Sequence, residues 1–553
     1  MEPLYNKFCN MEKDEQGNVR DFSLKFPDSF NFAYDVVDQI AKEEPNKIAL
    51  VWCDPTGREE TFTFGQLSSL SGKAAAFLQA HGVRKGDKVM LILKRHFEYW
   101  YTLLALHKLG AVAIPSTHML RQKDIVYRVQ NAQISAVVCA EDESILSAVE
   151  AARQECAELQ HLFVVRTQRE GFLRLDTGLE ECEELPQRVQ TMYTDPFLMY
   201  FTSGTTDYPK AVIHDYTYPL AHIPTAKLWQ ACEDGGLHLT VSDTGWGKAS
   251  WGKIYGQWLC GCAVMVYDYE HFNASELLAV IRKYEVTTFC APPTVYRFMV
   301  KNGFTKEDFA SVKHVTTAGE ALNPDIIRKF EQITGLLIHE GYGQTETTLL
   351  LANLAGVPVR IGAIGKPSPQ YDIRLVDEDG HEVGTDCDGE IVIVPKPNQH
   401  GICSGYLNAE QNALRAWKNG VFHTGDVGRR DADGYFWYIG RKDDIIKSSG
   451  YRIGPFEIED VLIAHDAVLE CAVTGVPDEE RGCVVKATIV LRAGYTPSEA
   501  LKKELQNFVK EKTAPYKYPR VVEFVDELPK TISGKIRRAQ IRKESAENKK
   551  ITV

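Results

Sequence analysis

GDKVMLILKRHFEYWYTLLALHKLGAVAIP, residues 86–115, holds one complete strand–helix–strand unit. Gly86-Asp87 makes a turn, and Lys88 to Leu93 (KVMLIL) reads as a strand. His96 to Leu109 has the length of a helix and is stopped by Gly110. Ala111 to Ile114 is a second short strand. A helix near Asp124 to Gln130 and a strand from Ser135 to Cys139 continue the rhythm. The same alternation runs from about Lys47 to His339, with further strands at Phe197 to Tyr200, Thr287 to Cys290, His314 to Thr317 and Leu336 to His339. Strands separated by helical stretches predict an α/β fold of largely parallel sheets covered by helices. Each of the four later strands leads into a Gly- or Pro-containing loop, the place where α/β sheets hold their ligands.

After Gly365 the texture changes. Short runs such as YDIRLV, GEIVIV and GYFWYIG alternate with acidic turns, which predicts a β-rich subdomain. The charged, turn-like Arg441-Lys442-Asp443-Asp444 precedes a last section of about a hundred residues. It carries helices near Pro455 to Ala464 and Pro497 to Lys512 and strands near Leu469 to Val476 and Val484 to Leu491, as a small α+β domain would. The expected division is 1–442 for a large N-terminal domain and 443–553 for a mobile C-terminal domain.

At 553 residues the chain exceeds one compact core, in keeping with two domains. Its net charge of -12 argues against nucleic-acid or anionic-membrane binding. The charge is uneven: residues 501–553 hold 14 Lys and Arg against 7 Asp and Glu, a basic tail on an acidic body. The 13 cysteines have neither zinc-site spacing nor a disulfide framework, so reduced, mostly buried thiols are expected. The longest apolar stretch, Tyr99 to Pro115, is broken by His107 and Lys108 and is too short to cross a bilayer. MEPLYNKFCNMEKDEQ has neither a secretory nor a transit pattern. A cytoplasmic protein is expected, without membrane insertion; the sequence leaves the oligomeric state open, a homodimer included.

Four segments carry chemistry. Thr202-Ser203-Gly204-Thr205-Thr206 follows a strand and ends in Asp207-Tyr208-Pro209-Lys210; a glycine, hydroxyls, backbone N–H groups and a lysine suit phosphate oxygens. It lacks the GxxxxGK[ST] spacing of a Walker loop. In Glu340-Gly341-Tyr342-Gly343-Gln344-Thr345-Glu346, the tyrosine at a strand end can stack on a purine and Glu346 can meet Mg²⁺ on phosphates. His423-Thr424-Gly425-Asp426 offers a carboxylate, read as lying in a tight turn, that can accept both hydroxyls of a ribose. Pro529-Lys530-Thr531-Ile532-Ser533-Gly534-Lys535 places a long-stemmed point charge where carboxylate and phosphate could meet. Taken singly, each could be an ordinary turn. Gly401-Ile402-Cys403-Ser404-Gly405 lacks the strand-to-helix context of a nucleophile elbow. Asp377 to Gly380 and Asp431 to Gly434 read as hairpin turns rather than calcium loops.

In this order, from Phe197 to Arg538, the segments resemble the acyl-adenylate-forming superfamily of acyl-CoA synthetases, adenylation domains and firefly luciferase. The likeness to medium-chain acyl-CoA synthetases rests on Ser242-Asp243-Thr244-Gly245-Trp246, Tyr342 to Thr347, GRKDDIIKSSGYRIGPFEI at 440–458 and Ala514 to Arg520. The resemblance implies attack of a carboxylate on the α-phosphorus of MgATP, rotation of the small domain, and displacement of AMP by coenzyme A. It implies that Thr202, Ser203, Gly204, Thr205, Thr206 and Lys210 hold the β- and γ-phosphates. Gly319, Glu320 and Ala321 would line the adenine, with Tyr342 stacked on it in the segment Glu340, Gly341, Gly343 and Gln344. Thr345 would meet the α-phosphate, Glu346 the magnesium, Asp426 the ribose with Arg441, and Arg452 the phosphates. Lys535 would be the adenylation lysine and Asp443 the hinge. Coenzyme A would lie on Ser449, Gly450 and Tyr451, with Arg481, Lys510, Tyr518 and Arg520.

The acyl pocket falls to Trp246, Lys248, Trp251 and Gly343. Acetate-activating relatives carry a tryptophan where Gly343 stands, so a larger acid should fit; Trp246 and Trp251 shorten the pocket again. A medium-chain, branched or aryl acid is expected. Asp207 stands where the family loop has glycine, and a carboxylate beside triphosphate is repulsive unless it turns to solvent. Alternatives are an adenylating enzyme that loads a carrier protein, a luciferase-like oxygenase, and a non-catalytic nucleotide- or acyl-binding relative.

Overall fold

A computed structural model describes residues 3–202, 209–408, 416–448, 451–478, 482–531 and 535–551, with backbone alone for Arg452, Gly482 and 546–551. By contact, 1–204, 208–372 and 395–415 form one compact unit, and 373–394 with 416–553 form another.

The larger unit holds two sheets whose central strands are parallel, as the sequence rhythm requires. The eight-stranded sheet runs, edge to edge, Gly405–Tyr406, Lys210–Asp215, Pro196–Thr202, Val112–Pro115, Lys88–Ile92, Ala136–Cys139, His161–Val164 and Leu173–Arg174; only the pairings of Lys210–Asp215 are antiparallel. The helix Glu98–Leu109 is buried along its whole length and ends on Gly110 at φ 71°, a left-handed cap that glycine adopts without strain. The nine-stranded sheet runs Lys366–Pro367, Leu351–Ala352, Ile338–Tyr342, His314–Ala318, Thr288–Ala291, Leu237–Thr240, Ala263–Tyr267, Ile48–Cys53 and Glu59–Thr63, antiparallel at its edges alone. Trp52, Trp100 and Trp258 fill the main core without exposure. Each buried indole N–H donates to a backbone carbonyl, of Arg95, Lys253 and Ala49 respectively, so no polar atom of these rings is left unpaid in the core.

In the smaller unit, Asp372–Val376, Asp388–Val394, Trp417–Lys418, Val421–Arg430 and Phe436–Arg441 make a five-stranded sheet. Antiparallel strands Val468–Asp478 and Gly482–Leu491 with parallel Val521–Phe524 make a three-stranded one, accompanied by helices Pro455–Ile463, Glu499–Lys512 and Arg538–Ile551. The predicted β-rich subdomain thus groups by contact with the C-terminal section rather than with residues before 373. The reason is local. Phe456 packs edge-on against Tyr438 at 5.5 Å, and Arg538 lies over Phe456 while bonding Glu459 through two nitrogens.

Asp431 accepts backbone N–H bonds from Asp433 and Tyr435, the hairpin turn expected there. All 13 cysteines are free thiols, and Cys387 is the exposed one. No helix among the described residues is long and apolar enough to cross a membrane.

Candidate active site

On the larger unit, chemistry gathers at the carboxyl ends of parallel strands, where no further strand residue competes for backbone donors and acceptors. Thr202 ends the strand Pro196–Thr202 and pairs directly with Lys210, first residue of the returning strand. The expected phosphate loop therefore joins the ends of an antiparallel pair. Ser203, Gly204, Thr205, Thr206 and Asp207 lie outside the described residues. The Tyr127 hydroxyl donates to the Pro209 carbonyl at 3.0 Å and so fixes the far end of the loop.

Gly319 follows the strand His314–Ala318 with φ 109°, and a Cβ there would meet nothing within 4 Å. Only glycine takes this backbone easily, and the space above it is open to a flat ligand. Glu320 is exposed and paired with Arg297 at 3.2 Å; Ala321 is half-buried. Glu340 is buried, and its Oε1 accepts the Leu322 N–H at 3.2 Å, so this carboxylate shapes the loop 319–321. Gly341 is a packing glycine, since a Cβ would sit 2.5 Å from the Trp229 indole.

Tyr342 is half-buried at the end of Ile338–Tyr342, and Gln344 N–H bonds the Thr347 hydroxyl in the turn beyond. The Thr345 carbonyl accepts from His214 Nε2 at 2.8 Å. Burial drives His214 down to about 4, countered only in part by that bond, so the ring is a neutral donor at physiological pH. Glu346 is half-buried and its Oε1 accepts the Tyr406 hydroxyl at 3.0 Å. A carboxylate held this way suits a hard cation such as the magnesium of MgATP. Cys403 is buried, its thiol is pushed up by desolvation, and its N–H donates to the Glu346 carbonyl at 2.7 Å, so it supports the segment that carries Glu346.

The acyl-pocket candidates lie on and before the helix Gly247–Gly252. Trp246 is half-buried at its N-cap, and Lys248 donates to the Ala318 carbonyl at 2.9 Å. Trp251 fills the space that Gly343 leaves: a Cβ on residue 343 would fall 2.4 Å from Trp251 Cη2 and 2.3 Å from the Thr348 carbonyl oxygen. Trp229, edge-on at 6.3 Å, and His222 at 5.8 Å fix the indole.

On the smaller unit, Asp426 is buried. The residue lies inside the strand Val421–Arg430, not in a separate turn: it pairs with Arg441 on one side, while on the other the ladder skips from Val427 to His423 and the N–H groups of Gly425 and Asp426 go to the Glu390 carboxylate and the Thr424 hydroxyl. Gly425 at φ 72° supplies a local bend. The Tyr438 hydroxyl donates to Asp426 Oδ1 at 3.0 Å, and Arg441 Nε lies 3.7 Å from the same oxygen and 3.7 Å from Asp443. Lys535 is exposed at the end of a loop closed by bonds between Thr531 and Lys535. Lys510 and Arg520 both lie on the ring of Tyr518, at 4.1 and 4.9 Å, so these three are together. Tyr451 stacks on Tyr516 at 4.1 Å. Ser449, Gly450, Arg481 and the Arg452 side chain lie outside what is described.

Comparison with known proteins decides what these residues belong to. The model for AMP-binding enzyme matches residues 37–407, and that for the AMP-binding enzyme C-terminal domain matches 457–535. The chain belongs to the AMP-binding enzyme family. It is 40% identical over 547 residues, 97% of this chain and 92% of the relative, to the Homo sapiens protein named acyl-coenzyme A synthetase ACSM3, mitochondrial. Among solved structures it is similar to the anthranilate CoA ligase AuaEII in complex with anthranoyl-AMP, at TM-score 0.86 and 28% identity, covering 95% and 98% of the two chains. It is also similar to a benzoate CoA ligase from Burkholderia xenovorans LB400, at TM-score 0.81 and 27% identity, covering 93% and 100%. Within the AMP-binding enzyme family it groups with the AMP-forming acyl-CoA synthetases, as the ordered motifs implied.

Three residues of this AMP-binding enzyme escaped the sequence reading. His214 and Tyr406 hold Thr345 and Glu346 from distant strands, and no local pattern marks them. Tyr516 stood in the alternating aromatic–basic run Tyr516-Lys517-Tyr518, which could have flagged it.

Proposed function

We propose that this enzyme joins a medium-chain, branched or aryl carboxylic acid to coenzyme A through an acyl-adenylate, with release of AMP and pyrophosphate. The observation that supports the acid class is the Trp251 indole packed against Gly343, which would close an acyl pocket with a fixed aromatic wall. In the first half-reaction a carboxylate oxygen attacks the α-phosphorus of MgATP, and the bond to pyrophosphate breaks. Thr202, Lys210 and the loop 203–206 meet the β- and γ-phosphates. Tyr342 with Gly319, Glu320 and Ala321 takes the adenine, Asp426 with Arg441 the ribose, and Arg452 the phosphates. Thr345 faces the α-phosphate, and Glu346, oriented by the Tyr406 hydroxyl, would offer a carboxylate oxygen to the magnesium that travels with ATP. Lys535 neutralises charge between the two reacting anions.

In the second half-reaction coenzyme A displaces AMP. Residues 443–553 turn about Asp443 between the halves, so that one basic domain serves two polyanions in sequence. Ser449, Gly450, Tyr451, Arg481, Lys510, Tyr518 and Arg520 form the coenzyme A face. The clustering of Lys510 and Arg520 on Tyr518 supports this, since cations ordered by a ring are preorganised for phosphate. A cytoplasmic location and a homodimer are the proposed setting. Fractionation against a mitochondrial marker decides the first, as ACSM3 carries a mitochondrial label, and mass measurement in solution decides the second.

The test is thioester formation from ATP and a panel of C4 to C12 and benzoic acids. Acid-dependent acyl-CoA is expected. Adenylate that forms but passes only to a carrier protein would favour the carrier-loading reading instead.

A further inference from the structure

On the strand Phe436–Arg441, a register shift between Val427 and Gly428 sets Tyr438 opposite Gly428, one diagonal step from Asp426. Its hydroxyl donates to Asp426 Oδ1 at 3.0 Å. Burial and the Asp426 carboxylate both push that hydroxyl up, so it stays a donor. The Tyr438 ring lies edge-on to Phe456, with 5.5 Å between centroids. One residue thus touches both the carboxylate assigned to the ribose and a helix beyond Asp443.

The second contact is closely packed. A Cβ on Gly454 would fall 2.4 Å from the Ile439 carbonyl oxygen, so the strand and the start of the helix Pro455–Ile463 meet without room for a side chain there. Behind Phe456 the C-terminal section is braced as one piece. Arg538 lies over the Phe456 ring at 5.0 Å, bonds Glu459 through two nitrogens and stands 3.9 Å from Asp444, which Arg542 also bonds. Arg538 opens the last helix, three residues after Lys535. Asp444, Phe456, Glu459 and Arg538 all follow Asp443, so a turn about Asp443 carries them together. The contact that such a turn pulls apart is Tyr438 on Phe456.

We propose that Tyr438 is a latch: its hydroxyl orients Asp426 for the ribose, and its ring, against Phe456, holds the section that carries Lys535 in the present arrangement. The proposal rests on the acyl-CoA synthetase reading above and on its turn about Asp443. Coupling of this kind is reciprocal. A ribose on Asp426 fixes the carboxylate that fixes Tyr438, and so favours this arrangement. A turn of the section leaves Tyr438 without its aromatic neighbour and loosens the grip on the ribose. ATP and acyl-AMP carry the same ribose, so the hydroxyl serves both half-reactions, whereas the ring serves the one that uses this arrangement. Tyr438 makes and breaks no bond of the reaction and is a positioning residue.

Tyr438→Phe keeps the ring, and Phe456→Leu keeps the hydroxyl bond; Phe456→Met gives a second, milder change at the same contact. Each is compared with the wild-type chain, with thermal melts alongside. One assay follows pyrophosphate release from MgATP with octanoate or benzoate. Another supplies the corresponding acyl-AMP, prepared chemically, with coenzyme A and follows thioester, and calorimetry gives the Kd for AMP. Tyr438→Phe should raise the ATP KM, the acyl-AMP KM and the AMP Kd alike, on the order of 10-fold, the scale of one hydrogen bond to a carboxylate, with kcat within about threefold of wild type. The Phe456 variants should move the two kcat values in opposite directions, each by about threefold, as one of two arrangements loses an aromatic pair. Unchanged KM and Kd in Tyr438→Phe, or both half-reactions slowed equally or neither altered in the Phe456 variants, would reduce the contact to packing and overturn the latch. A wild-type chain that releases no pyrophosphate with any acid removes the parent reading; an active wild type with either of those failures removes the latch alone.

Discussion

Replacing Trp251 by alanine empties the space over Gly343 that the indole now fills. The ring is buried and fixed by Trp229 and His222, so nothing beside it is poised to take its place. Space of this size admits roughly four more methylenes of an acyl tail, each worth about 0.8 kcal/mol when taken out of water. The sum, about 3 kcal/mol, is on the order of a 100-fold gain in kcat/KM for a C10 over a C6 acid relative to wild type. The fold pays part of that gain, since truncating a buried aromatic costs about 3–5 kcal/mol of stability; thermal melts must therefore accompany the kinetics. The assay is coenzyme A-dependent acyl-CoA formation across C4, C6, C8, C10 and C12 acids at saturating ATP. A folded Trp251→Ala enzyme with unchanged relative kcat/KM from C4 to C12 would refute Trp251 as the pocket's end.

Gly343→Ala should lower stability by about 1–3 kcal/mol, because its methyl meets a backbone oxygen at 2.3 Å and the Trp251 ring at 2.4 Å; made in the Trp251→Ala background, the same change should cost less in a denaturant titration. His96 is buried, which opposes protonation, yet its bonds to Asp268 and Glu141 raise it to about 9. A folded-state value above the unfolded 6.5 means that this stability is present in full below pH 6.5 and is lost as pH rises through 9. Urea midpoints should fall over that window, and His96→Gln should flatten the slope. Asp207→Gly should leave the ATP KM unchanged; a clear drop in KM would mean that the carboxylate points at the triphosphate.

Much of the larger unit was legible because period and punctuation agree. Lys88 to Leu93, Gly110 and Ala111 to Ile114 each fall within a residue or two of the observed strand, cap and strand. The positions of candidate site residues were legible where a loop leaves a strand, as at Thr202, Gly319 and Tyr342. Asp426 was placed in a turn because glycine and aspartate favour turns locally; the structure keeps a bulge there against 388–394, while pairing with 436–441 makes the segment a strand. The grouping of the five-stranded sheet with the C-terminal section depends on Phe456 and Arg538, contacts that no periodicity encodes. That Trp251 occupies the room Gly343 leaves, rather than merely bordering it, is a fact of packing between residues 92 apart in sequence.

The central claim is activation through an adenylate, and the products from ATP report on it most directly. With octanoate or benzoate, MgATP and coenzyme A, chromatographic quantification should give AMP, pyrophosphate and acyl-CoA in equal amounts, and Lys535→Ala should suppress all three. Formation of ADP and phosphate, or acyl-CoA without AMP, would contradict the account.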